Sequence, residues 1–201
     1  MQQHIVRKSM PMGEGAFHFT TEEMSKAAMG RYGAKSQRIR DLATDIIRDA
    51  GISSHDTRGE ICALHNWVRD NIRYVKDPAG IEFITMPETL AFDTKQEDCD
   101  GHAVLFAALC GAVGIPTRFV IVQTGVNKTF NHVYALAKTS TGWIASDAII
   151  KDKNCGWETP NPIRKRVFAI NSDAGIGYIS DAALFGMIVG FCQWCRKGSI
   201  F

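Results

Sequence analysis

The chain has 201 residues, of which 45% are apolar and 22% are charged. This length suits one domain with terminal extensions, and the apolar fraction is ample for a buried core. The net charge of +2 gives no reason to expect a nucleic-acid partner. The first residues lack a continuous apolar stretch, so no secretory signal is predicted, and residues 1–17 are interpreted as a polar N-terminal arm.

Three helices are predicted in the first part of the chain. Thr20 to Glu23 resembles a capping box that starts a helix reaching about Tyr32. A second helix is predicted from Ser36 to Ala50, where Gly51 stops it. The third begins near Asp56, and its apolar residues recur at helical spacing, which predicts one buried face: Ile61, Leu64, Val68 and Ile72.

Cys99 opens the next predicted helix. It follows the potential capping residue Asp98 and precedes a long apolar run, which ends at Gly114 and Pro116. Amides at a helix N-terminus favour a thiolate over a thiol, but the flanking Asp98 and Asp100 oppose it by like-charge repulsion. A nucleophilic Cys99 therefore needs a cationic partner, for which histidine is the expected residue.

The histidine and an acid are predicted on one β-hairpin. Residues 130–138 and 143–149 are predicted to form the two strands of the hairpin, joined by a turn at 139–142. A continuous apolar strand is predicted before them, over 117–124. If Lys138 faces Trp143, then His132 faces Ile149 and Asp147 points from the same side of the sheet. With an edge strand expected over 167–170, the prediction is an α+β fold: helices first, then an antiparallel sheet.

The order Cys99, His132, Asp147 and the residues around them resemble the transglutaminase-like superfamily of thiol enzymes. The resemblance spans roughly residues 36–150 and is closest to the compact single-domain versions of bacteria and tailed phages. It rests on matching segments: Trp67 to Tyr74, Asp98-Cys99, Gly114 to Arg118, His132-Val133-Tyr134 and Gly142-Trp143. Two positions depart from the pattern, Glu97 where the family usually has Gly, and Gly101 where phage versions often have an acid.

The resemblance implies a papain-like or transglutaminase-like catalytic domain over residues 18–172. Cys99 would attack a peptide or glutamine carboxamide, His132 would transfer the proton and Asp147 would orient the imidazole. The resulting thioester could be hydrolysed by water, as in a peptidase or deamidase, or attacked by an amine, as in cross-linking. No metal or other cofactor is expected. The alternative hypothesis is an assembly protein of a tailed phage virion that retains the fold.

Other histidines and cysteines receive structural interpretations. His102 competes with His132 as the base, because it lies one helical turn from Cys99, but it has no visible orienting acid. His65 is assigned to packing or the surface. Cys62, Cys110 and Cys155 are interpreted as buried structural thiols. Six cysteines without framework spacing argue against a disulfide scaffold and for a reducing compartment, here the cytoplasm of a bacterial host or a virion.

Residues 173–201 form an apolar C-terminal segment. Its run from Ala182 to Cys192 is shorter than the ~20 residues needed to span a bilayer. The segment is expected either to pack on its own domain or to dock on phage structural proteins or a second copy of the chain. Cys192 and Cys195 have the CxxC spacing, but a single pair is a weak signal for zinc or redox chemistry.

Overall fold

The structure of the chain is a computed structural model, and it describes residues 5–9, 14–77, 81–126, 129–170 and 176–179. The apolar run from Ala182 to Cys192 and the Cys192–Cys195 pair lie outside these residues, so the interpretations given to them stay predictions. Within the described residues, no helix is long and apolar enough to cross a membrane.

Helices dominate the first half of the chain, as predicted. The first three are α1 (Glu14–Met29), α2 (Gln37–Asp49) and α3 (Thr57–Asn71). Ser36 caps α2, where its Oγ accepts from the Ile39 amide, and Asp56 caps α3 in the same way through the Gly59 amide. The starts predicted for α2 and α3 are therefore confirmed. The start predicted for α1 at the Thr20 capping box is wrong, because the helix begins earlier, at Glu14.

Short elements link these helices to the helix that Cys99 opens. Strand β1 (Ile5–Ser9) runs antiparallel to β3 (Ile81–Thr85), and β2 (Arg73–Tyr74) runs parallel to β4 (Gln96–Glu97). Between β3 and β4 lie the short helix α4 (Pro87–Thr89) and a π-helical turn (Leu90–Thr94). Helix α5 (Cys99–Ala112) follows β4 directly. The parallel pair thus places Tyr74 beside Glu97, two residues before Cys99.

A five-stranded antiparallel sheet completes the described part of the fold, in the order β7-β6-β5-β8-β9. Strand β5 is central, and α5 packs on β6. Alternate residues of the sheet join either the core around α5 or a second apolar cluster. The mixed helical and antiparallel architecture agrees with the predicted α+β class. The strands are β5 (Thr117–Gln123), β6 (His132–Lys138), β7 (Trp143–Ser146), β8 (Arg164–Ile170) and β9 (Ile176–Ile179).

Cys62 on α3 and Cys155 in the loop after β7 form a disulfide across 93 positions of the sequence. The interpretation of these two residues as separate buried thiols is therefore wrong. Sequence spacing could not reveal the pair, because the fold alone brings α3 and the loop together. The bond also removes the cysteine-based argument for a reducing compartment, since disulfides persist in oxidising ones.

We expect the double variant Cys62→Ser/Cys155→Ser to be less stable than the parent by about 2–5 kcal/mol, because a long closed loop restricts the unfolded chain. Urea unfolding of oxidised proteins followed by circular dichroism measures the difference. Cys110→Ser, at a buried cysteine outside the disulfide, is the comparison variant. A double variant with the parental unfolding midpoint would contradict a stabilising role for the bond.

Candidate active site

Cys99 is the first residue of α5, as predicted, and Asp98 is its N-cap. The Asp98 carboxylate accepts a hydrogen bond from the Asp100 amide at 3.0 Å, which satisfies one of the unbonded amides of the first turn. Cys99 is half-buried, whereas Cys110 further along the helix is fully buried. Burial raises the pKa of the Cys110 thiol, which keeps the thiol protonated and unreactive. This agrees with the prediction that Cys110 is a structural residue.

Glu97 lies under the first turn of α5. Its carboxylate accepts hydrogen bonds from the backbone amides of Thr85 (3.1 Å) and Asp98 (3.3 Å). A Cβ atom at position 101 would overlap the Glu97 side chain, so this position has to be glycine. The two departures from the family pattern are therefore coupled: the glycine at 101 makes room for the acid at 97.

Tyr74 lies on β2, next to the start of α5. Its ring is tilted against that of His102, with 6.3 Å between the ring centroids, and the side chain is partly exposed. Burial raises the pKa of the Tyr74 hydroxyl, and the nearby carboxylates of Asp98 and Asp100 add to the effect. Because Tyr74 pairs with Glu97, two residues before Cys99, its ring lies near the start of α5.

His132 and Asp147 are in direct contact. The Nε2 atom of His132 lies 2.7 Å from Oδ2 of Asp147, and the Asp147 carboxyl group is buried. The hairpin register agrees with the prediction, because Lys138 pairs with Trp143. Strand β7 ends at Ser146, so the pairing of His132 with Ile149 is not formed. Asp147 is instead the first residue beyond the strand and reaches the imidazole from there.

His102 is held inside the protein. Its Nδ1 lies 2.8 Å from the carbonyl oxygen of Asp98, and its Nε2 lies 3.3 Å from that of Ile72. Burial lowers the pKa of this imidazole. Since both ring nitrogens face backbone carbonyls, the arrangement favours a structural role for His102 over proton transfer.

His65 was predicted to be either a packing residue or a surface residue, and the structure shows it buried. Its Nδ1 lies 3.0 Å from Oγ of Ser146, the residue that precedes Asp147. Burial lowers the pKa of His65 to about 4, and the nearby Arg69 adds to the shift, so the ring is neutral near pH 7. It supports the end of β7 from the α3 side.

One polar contact at the site was not predicted from the sequence. The Oγ1 of Thr159 donates a hydrogen bond to Oδ2 of Asp147 at 3.1 Å. Thr159 lies in the loop between β7 and β8, beside Pro160. No periodicity or motif marks it, because a loop threonine with a neighbouring proline is typical of many turns.

The sequence model of the transglutaminase-like superfamily matches residues 29–148, more than half of the chain. The chain belongs to this superfamily. The matched region contains Cys99, His132 and Asp147. No protein of curated function matches the sequence.

Similar folds occur in solved bacterial proteins. Legionella pneumophila LapG is 14% identical, with a TM-score of 0.50, and the match covers 78% of this chain and 95% of that one. A candidate cysteine protease from Cytophaga hutchinsonii is 18% identical (TM-score 0.44, 75% of this chain and 60% of that one). The periplasmic domain of Pseudomonas aeruginosa TgpA is 20% identical (TM-score 0.44, 57% of this chain and 43% of that one). The chain therefore spans less than two thirds of the last two proteins. At these identities, the likeness to LapG shows the fold alone.

Glu97 makes stability depend on pH. Burial raises the pKa of Glu97 from its ordinary value of 4.5 to about 7, and Asp98 and Asp77 add to the shift. The folded state thus holds the proton more tightly than the unfolded state. The stabilisation is complete below about pH 4.5 and is lost as the pH rises through about 7.

We therefore expect Glu97→Gln to lose less free energy of unfolding than the parent as the pH rises from about 5.5 to about 8.5. Urea unfolding midpoints at several pH values measure it. Glu22→Gln, at an exposed ion pair with Lys26, should keep the parental dependence. If Glu97→Gln and the parent lose the same stability over this range, Glu97 is not the titrating group.

Proposed function

We propose that the protein is a thiol enzyme that transfers an acyl group from a peptide or glutamine carboxamide through Cys99, His132 and Asp147. The observation that carries the proposal is the 2.7 Å contact between His132 Nε2 and Asp147 Oδ2, on a strand packed against the helix that Cys99 opens. The superfamily membership and the half-buried thiol support it.

The His132–Asp147 contact supports a choice of the ring nitrogen that transfers the proton. Because Nε2 donates its proton to Asp147, Nδ1 carries the lone pair in the neutral ring and is the atom that would take the Cys99 proton. The thiolate then attacks the carbonyl carbon of the substrate. A C–S bond forms, the C–N bond breaks, and Nδ1 returns the proton to the departing amine.

The thioester is resolved by a second nucleophile. Water, deprotonated by Nδ1 of His132, gives hydrolysis, whereas a bound amine gives a new amide. The Cys99 backbone amide, which belongs to the first residue of α5, is the first donor we assign to the developing oxyanion. The third member, Asp147, holds the tautomer and stabilises the imidazolium.

The ion pair between Cys99 and His132 can be tested without a substrate. At pH 7 an ordinary cysteine is only a few per cent thiolate, so His132→Ala should slow alkylation of Cys99 by iodoacetamide roughly tenfold or more. Peptide mass spectrometry follows Cys99 separately from the other cysteines. His102→Ala, a matched change at a backbone-bonded histidine, should stay within a few-fold of the parent.

Equal rates in the parent and in His132→Ala would contradict the ion pair. If His102→Ala slows alkylation of Cys99 more than His132→Ala does, then His102 and not His132 is the partner of the thiolate. If Cys99 of the parent is alkylated no faster than the buried Cys110, the outcome favours the alternative of a virion assembly protein that keeps an inactive site.

Asp147→Asn should leave the fold unchanged but lower turnover by about 10³-fold or more, because the amide favours the wrong imidazole tautomer. The measurement is the release of new N-termini and ammonia from a defined peptide mixture, with circular dichroism as the check on folding. Asp152→Asn, at an exposed acid of the same loop, should keep parental activity. An Asp147→Asn variant with parental turnover would exclude Asp147 as the orienting acid.

A further inference from the structure

Two side chains of the described residues donate hydrogen bonds to Asp147, and both donate to the same oxygen. Its Oδ2 accepts from Nε2 of His132 at 2.7 Å and from Oγ1 of Thr159 at 3.1 Å. Its Oδ1 is buried and has no hydrogen-bond partner among the described residues. The plane of the carboxylate is therefore fixed by two donors, and only one of them belongs to the proposed catalytic set.

Thr159 is itself held in place by its neighbour. Glu158 accepts hydrogen bonds from the hydroxyl of Tyr134 and from Nζ of Lys165, which lie on β6 and β8. The segment that carries Thr159 is thus bound to the same sheet that carries His132. Holding Glu158 to the sheet limits how far the backbone of Thr159 can move from the carboxylate.

The loop has a second set of attachments on α3. Cys155 is bonded to Cys62, and the guanidinium of Arg69 donates to the carbonyl oxygen of Lys153 at 3.2 Å. The loop between Asp147 and Thr159 is therefore bonded to α3 in its middle and to the sheet at its end. These attachments oppose a drift of Thr159 away from the carboxylate.

We propose that Thr159 is a positioning residue of the active site, which turns Oδ2 of Asp147 toward Nε2 of His132. This inference rests on the proposed function of Cys99, His132 and Asp147. Without the hydroxyl, the carboxylate keeps one hydrogen bond and can turn about its Cβ–Cγ bond. The imidazole is then held less well and stabilises the Cys99 thiolate less.

The test is the pH profile of Cys99 alkylation by iodoacetamide in the parent, Thr159→Val and Thr159→Ser. Valine keeps the shape but removes the donor, and serine keeps the donor. We expect Thr159→Val to react about threefold to tenfold more slowly near neutral pH, with the midpoint of its profile at higher pH. Thr159→Ser should restore most of the parental profile. Thr141→Val, at the β6–β7 turn, is the control and should match the parent.

The outcomes separate this inference from the proposed function. If Asp147→Asn moves the profile but Thr159→Val does not, the triad stands and Thr159 has no positioning role. If Thr159→Ser is as impaired as Thr159→Val, the hydroxyl is not responsible and the inference is overturned. If neither His132→Ala nor Asp147→Asn changes the profile, the proposed function itself fails.

Discussion

The burial of helix α5 is the constraint on which the rest of the site depends. Nearly every residue from Asp100 to Ala112 is buried, and the helix packs on α1, α2 and α3 as well as on β6. A helix enclosed on several sides cannot rotate without opening cavities in a close-packed interior. Its first residue, Cys99, is thereby held at a fixed position relative to the strand that begins with His132.

The start of α5 illustrates how local sequence and close packing have to agree. Asp98 supplies the cap, which a short-range pattern can specify, while Gly101 leaves the space that the Glu97 side chain occupies. The result places acidic groups around a thiol. Like charges oppose a thiolate, so the proposed role of Cys99 requires a cation from elsewhere in the fold.

The loop between β7 and β8 is where distant parts of the chain meet. It follows Asp147, is bonded to α3 through Cys155, and brings Thr159 back to the carboxylate. Buried carboxylates need hydrogen bonds to offset their desolvation, and here the sheet and the loop each provide one. The position of Asp147 therefore depends on the sheet and on the loop between β7 and β8, although Asp147 itself directly follows β7.

The sequence by itself determined the starts of α2 and α3 from their caps and the Lys138–Trp143 register from an even turn. It also put His132 and Asp147 on the same side of the hairpin, although Asp147 reaches the imidazole from just beyond the end of the strand. These features depend on contacts between residues close in the chain. Only the tertiary structure decided the Cys62–Cys155 bond, the burial of His102 and the return of Thr159 to Asp147. Each of these requires segments far apart in sequence to meet, and no local preference encodes which distant partner a side chain will find.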